Sequence, residues 1–324
     1  MKFLDKLNLR RFAKVAAIAA VSGSIFFGGG DAIVNAAPDG MAAFREAYSA
    51  NTGNRAFSQD FTLIAPNFHL DIDSNAQVYT DGVIRMEGNF NWTYTNLKKN
   101  YSTNNKIPFY IEQSTNEMNL YVQRNGRWSK MALPGLPAGI AVMWKTTDPS
   151  ILRDNMDAVK AVEVLKDTPD MRIMNVTLDG KKVAAILAKT SQASFAGLSG
   201  QALAEQKANF ERWLVAIRAN DIKFSWTVNK PSWTTVTAAF DLTDIMRSYS
   251  RYVLDESAAG RVKLTNEERD LLDAMGYYAE LKAYTTQKSP KDEVVISRPN
   301  FDSAPTDESS LDDIFYEMTT VVKR

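Results

Sequence analysis

The residues able to do chemistry are few. The chain of 324 residues has one histidine and no cysteine. His69 stands at alternate positions with Asp71 and Asp73, so on a strand the three share one face. An imidazole and two carboxylates could ligate a metal, but no second histidine exists to complete a zinc site, and the spacing reads better as a solvated strand face. Asp71-Ile72-Asp73-Ser74-Asn75 opens like a calcium loop, yet Ala76 and Gly82 stand where that loop needs Gly and Glu. Gly197-Leu198-Ser199-Gly200-Gln201 is half of a nucleophile elbow, with Gln201 in place of the required glycine. Acidic residues are plentiful, so a glycosidase-type carboxylate pair stays open as a third reading, although no spacing singles one out. The expectation is therefore no catalytic residue, no metal and no cofactor.

The elements that would position any site are mostly strands. Residues 39–53 carry Met41, Phe44, Ala47 and Tyr48 on one helical face. The period then changes to two. Phe57, Gln59, Phe61 and Leu63 form one file, and Phe68, Leu70 and Ile72 another. Asp81-Gly82 and Asn125-Gly126 are hairpin signals. Between and around them Ile84, Met86, Phe90, Trp92 and Tyr94, then Ile107, Phe109 and Ile111, then Leu120 and Val122 line one face of a predicted antiparallel meander. A Pro/Gly-bounded segment, 134–145, holds the apolar run Ile140, Ala141, Val142, Met143, Trp144.

Downstream the pattern predicts a helix over 148–159, strands over 160–166 and 171–178, and a hairpin at Asp179-Gly180 leading into a strand over 183–188. Helices follow over 192–220, 242–258 and 265–275, the last with Thr265 and Glu268 as a capping box. Two strands lie between them, 222–228 and 236–240, and a last strand covers 277–286. The fold class is α+β, a curved antiparallel sheet (a half-barrel) covered by helices. An apolar sheet face must be covered. Packed helices would make a filled core; a curled sheet under a lid would leave a cavity suited to aromatic and Met side chains.

The first 36 residues read as a secretory signal. Lys2, Lys6, Arg10, Arg11 and Lys14 precede an apolar run from Val15 to Phe27, and Val34-Asn35-Ala36 offers small residues before a cut at Ala37. The run is shorter than the ~20 residues that span a bilayer. The segment holds five basic and two acidic residues against 38 of each in the whole chain, so the remainder is acidic by three charges. That balance favours neither nucleic acid nor an anionic membrane surface. Without cysteine, neither a disulfide nor a thiol-linked lipid anchor can form.

The element order and the hairpin Asn119-Leu120-Tyr121-Val122-Gln123-Arg124-Asn125-Gly126-Arg127-Trp128-Ser129-Lys130-Met131 resemble the half-barrel envelope carriers of the LolA and LppX/LprG types over roughly 40–285. The resemblance implies a curved sheet enclosing a hydrophobic site for acyl chains, and it carries over no catalytic residue. The candidate ligand-binding face is then Phe61, Leu63, Ile84, Met86, Phe90, Trp92, Phe109, Ile111, Leu120 and Val122, covered by Ile140, Val142, Met143 and Trp144. The expected organisation is a signal at 1–36, one domain at 37–286, a polar linker at 287–310 with three prolines, and an amphipathic helix at 311–324. The expected partner is a lipid, another hydrophobic small molecule or a lipidated protein, in a periplasmic or extracellular compartment. The alternative is an envelope interaction module with a filled core, working through Leu311, Ile314, Phe315, Met318 and Val322.

Overall fold

The computed structural model describes residues 39–50, 56–65, 68–78, 83–96, 101–113, 118–124, 126–131, 156–190, 199–287, 295–301 and 306–307. The signal segment, the 134–145 run and the C-terminal helix lie outside the described residues.

Alternating patterns become long strands. β1 (Ala56–Ala65), β2 (Phe68–Val78), β3 (Ile84–Asn96), β4 (Tyr101–Gln113), β5 (Met118–Arg124) and β6 (Arg127–Met131) form the expected meander. A second run comprises β7 (Val159–Asp167), β8 (Met171–Leu178), β9 (Ile222–Asn229), β10 (Thr234–Asp241) and β11 (Glu280–Gln287). β1 joins the two, pairing with β2 on one side and β11 on the other. The sheet order is β12-β6-β5-β4-β3-β2-β1-β11-β10-β9-β8-β7, antiparallel except where the two-residue β12 (Thr306–Asp307) lies parallel to β6. The fold class is α+β: an open, curved antiparallel sheet with helices.

The helices are α1 (Gly40–Ala50), α2 (Gly180–Thr190), α3 (Gly200–Arg218), α4 (Thr243–Ala258) and α5 (Asn266–Tyr278). α2 and α3 connect β8 to β9, and α4 and α5 connect β10 to β11, so all four belong to the second run. Their described sheet contacts concentrate on that half and its seam: α1 on β7, α4 on β11, α5 on β1. The α5 capping box is present, with Thr265 Oγ1 accepting from Glu268 N and Glu268 Oε2 accepting from Thr265 N.

Three expectations change. The strand expected over 183–188 is helix α2. Asp-Gly serves both hairpins and helix starts, and here Asp179 Oδ1 accepts from the amides of Lys181 and Lys182 as an N-cap. Val183 and Ala184 then bury on the helical face. A Cβ on Gly180 would stand 1.8 Å from the Asn220 carbonyl oxygen, so only glycine lets α2 start against the end of α3. The helix expected to run to 159 yields to β7 at Val159, only 156–158 being helical among the described residues of that stretch. The polar segment expected as a linker is in contact with the sheet over 295–301: Ile296 is buried with Tyr110 and Tyr121, and Trp128 and Phe301 pack against them.

Candidate functional site

The sheet has two chemically different faces. On the inner face Phe61, Leu63, Met86, Phe90, Phe109, Leu120 and Val122 are all buried in one cluster, with Ile111 packed against it. Ile84 and Trp92 occupy the same-parity positions of β3 as Met86 and Phe90. Residues 140–144 lie outside the described residues. The register explains the grouping. Phe61 faces Ile72, Leu63 faces Leu70, Met86 faces Ile111, and Phe109 faces Val122. The Phe90 and Phe109 rings are 4.5 Å apart. Phe109 also lies across Gly88, where a Cβ would come within 2.8 Å of its ring; the missing side chain is what admits the ring.

Three polar residues stand at the centre of this face. Gln59 is directly opposite Ser74 on β2 and Thr285 on β11. All three are buried, Gln59 to 3% exposure. Ser74 Oγ donates to the Gln59 main-chain oxygen at 3.4 Å. The Gln59 carboxamide has no partner at either Oε1 or Nε2. A buried polar atom without a partner costs about 1–3 kcal/mol. The sequence signal was present, since Gln59 falls in the Phe57–Leu63 file, but its polarity hid it among apolar neighbours.

At the far end of the inner face, α1 closes over β8 and β9. Phe44 meets Trp226 edge-on at 5.5 Å, and Trp226 Nε1 donates to Thr235 Oγ1. The buried Arg172 guanidinium donates to the Ala43 carbonyl, to Glu46 Oε2 and to Asp167 Oδ2 at 2.8–2.9 Å. Burial alone would lower the Arg172 pKa, but the Asp167 and Glu46 carboxylates outweigh it and raise it. Burial likewise works to raise the Asp167 carboxyl, and hydrogen bonds from Arg172 and Lys230 outweigh it and hold the carboxyl below its ordinary value. This network ties α1 to the sheet and performs no evident chemistry.

The outer face of β1–β3 is polar. His69 pairs with Asp71 at 3.0 Å, both half-exposed. Thr62 Oγ1 donates to Asp71, and Asn89 and Asn91 donate to Asp73. The His69/Asp71/Asp73 file is thus a hydrogen-bonded solvated face, and among the described residues no cluster of three metal-ligating side chains occurs. Asp60, directly opposite Asp73, has its carboxyl pushed up, first by burial and then by the charges of Asp73 and Asp71.

Further along the outer face the 295–301 segment forms an aromatic strap. Phe301 stacks on Tyr121 at 3.8 Å and meets Trp128 edge-on at 5.7 Å, while Arg298 lies over Phe301. Ile296 N donates to Gln77 Oε1. Burial, and then the Glu112 charge, pushes the Tyr110 phenol well above its ordinary value.

No protein-family model matches the chain, and no curated protein does. Among solved structures the chain is similar to LprF from Mycobacterium bovis, at 12% identity over 81% of this chain and 98% of that chain, with a TM-score of 0.36.

Proposed function

We propose that the protein is an exported, non-enzymatic binder of a hydrophobic ligand, a lipid or an acylated protein, taken up against the inner face of β1–β5. One observation carries the reading. The face from Phe61 to Val122 is continuous and apolar, while the described sheet contacts of the helices concentrate on β7, β11 and β1. The apolar half therefore needs a further cover. The segment holding Ile140, Val142, Met143 and Trp144 supplies it, and a ligand chain lies between cover and sheet. Each methylene buried there contributes about 0.8 kcal/mol, so a long acyl chain binds without any charged contact. The leader at 1–36 directs the protein out of the cytoplasm, to a compartment where water-insoluble cargo needs a carrier.

Native mass spectrometry of protein purified without detergent tests this. A solvent-extractable apolar adduct is expected, and Phe90→Ala is expected to weaken its retention, with circular dichroism used to confirm that the variant is still folded. A protein with no adduct that also takes up no oleoyl lipid is not a carrier. That result would favour the second reading, an interaction module with a filled core, for which the near-complete burial of Phe109 and Val122 is the supporting observation.

A further inference from the structure

The binding reading leaves open what kind of hydrophobic molecule the face takes. Gln59 bears on that. Its carboxamide points into the inner face between the Phe57 and Phe61 positions of β1, and both its polar atoms are shielded from solvent and unpartnered. A primary amide carries two donor hydrogens and an acceptor oxygen, and native proteins seldom leave such a group unsatisfied. Elsewhere among the described residues the vacancy is a single atom: Arg172 Nε, for example, belongs to a guanidinium whose other nitrogens are paired. Among the described residues, Gln59 alone leaves two polar side-chain atoms vacant. Its register neighbours are the hydroxyl residues Ser74 and Thr285. Gly88, beside Ser74, carries no side chain. The result is a small polar island in an otherwise apolar field.

Charge narrows the ligand class. Among the described residues, the buried inward positions of β1–β5 carry no charged side chain: β1 contributes Phe57, Gln59, Phe61 and Leu63, and the other strands contribute apolar residues and Ser74, with Gly88 between them; the same-parity positions held by Asn105, Gln113 and Arg124 lie towards the strand ends. A carboxylate or ammonium brought there would be desolvated without compensation. A neutral carbonyl or hydroxyl would not.

We propose that Gln59 is the polar anchor of the apolar site, hydrogen-bonding the neutral ester head of an acyl chain of the acylglycerol class. The Nε2 hydrogens donate to the ester carbonyl, and Oε1 accepts from a glycerol hydroxyl. The proposal rests on the binding role given above, and its test separates the two.

The experiment is a fluorescence titration of the purified protein, delipidated beforehand, with two probes delivered from cyclodextrin. One is 1-oleoylglycerol; the other is 1-octadecene, which has a chain but no head. Wild type is expected to bind 1-oleoylglycerol more tightly. Gln59→Leu is expected to weaken that affinity about tenfold, the effect of one well-placed hydrogen bond, and to leave 1-octadecene within about twofold. The ligand-free variant is expected to melt at a higher temperature, because the orphaned amide is gone. Gln59→Met serves as a second variant should the branched side chain fail to pack. Equal losses for both probes mean that Gln59 only shapes the core, and they overturn the anchor. Unchanged affinities in both variants overturn it too, and leave the binding reading standing. If wild type binds neither probe, the binding reading fails and the anchor with it.

Discussion

Asp60 shows how one residue can report on the outer face. It stands directly opposite Asp73, with Asp71 nearby, and like charges so placed across a strand pair repel. Burial and these two charges raise its folded pKa above the ordinary 3.8. The folded state therefore holds the proton more tightly than the unfolded one, so this carboxyl costs stability as pH rises above that value. Asp60→Asn is expected to stabilise the protein near neutral pH. After solvent screening the gain is about 0.5 kcal/mol or less. Thermal melts should show it shrinking as pH falls through the raised folded value and gone below the unfolded value of 3.8, where the carboxyl is protonated in both states. A gain that persists unchanged in acid would place its origin elsewhere. The position of Asp60 on the polar file was legible from period-two spacing. Its pairing with Asp73 was not, because the β1–β2 register depends on where the connecting turn places the two strands.

At the scale of elements, the 295–301 strap teaches the most. Three prolines and a polar composition read as a tether. Two apolar residues within it, Ile296 and Phe301, contribute the contacts with Tyr110, Tyr121 and Trp128. A seven-residue segment with two apolar anchors should loosen when one is removed. Phe301→Ala is expected to cost about 2–4 kcal/mol locally, somewhat below the roughly 3–5 kcal/mol typical of a fully buried aromatic, because Phe301 is only partly buried. Limited proteolysis should then cut within 295–301, while amides of β3 and β4 stay protected from exchange. Cleavage no faster than in wild type would mean that Ile296 suffices alone. The Asp179-Gly180 misreading belongs to this scale as well. The dipeptide has the same chemistry in a type I′ turn and at an N-cap, and only the packing of Val183 and Ala184 distinguishes them.

For the whole molecule the decisive feature is the β1–β11 seam. Phe61 faces Ile72 of the first run and Ala283 of the second, so one side chain belongs to both halves of the core. Phe61→Ala is expected to destabilise by about 3–5 kcal/mol and to lower the denaturation midpoint with an unchanged slope. Hydrogen exchange should show β3–β4 and β9–β10 losing protection together; separate transitions would mean two independent domains. The amino-acid order by itself determined the β1–β6 meander, its apolar and polar faces, the α5 capping box, and the membership of Phe61, Met86, Phe90, Phe109, Leu120 and Val122 in one face. These follow from spacing and turn chemistry within a few residues. Tertiary structure alone decided that β1 pairs with β11 more than two hundred residues away, that the helices crowd one half of the sheet, and that the Gln59 carboxamide ends without a partner. Each depends on which distant groups meet, and no local pattern encodes that.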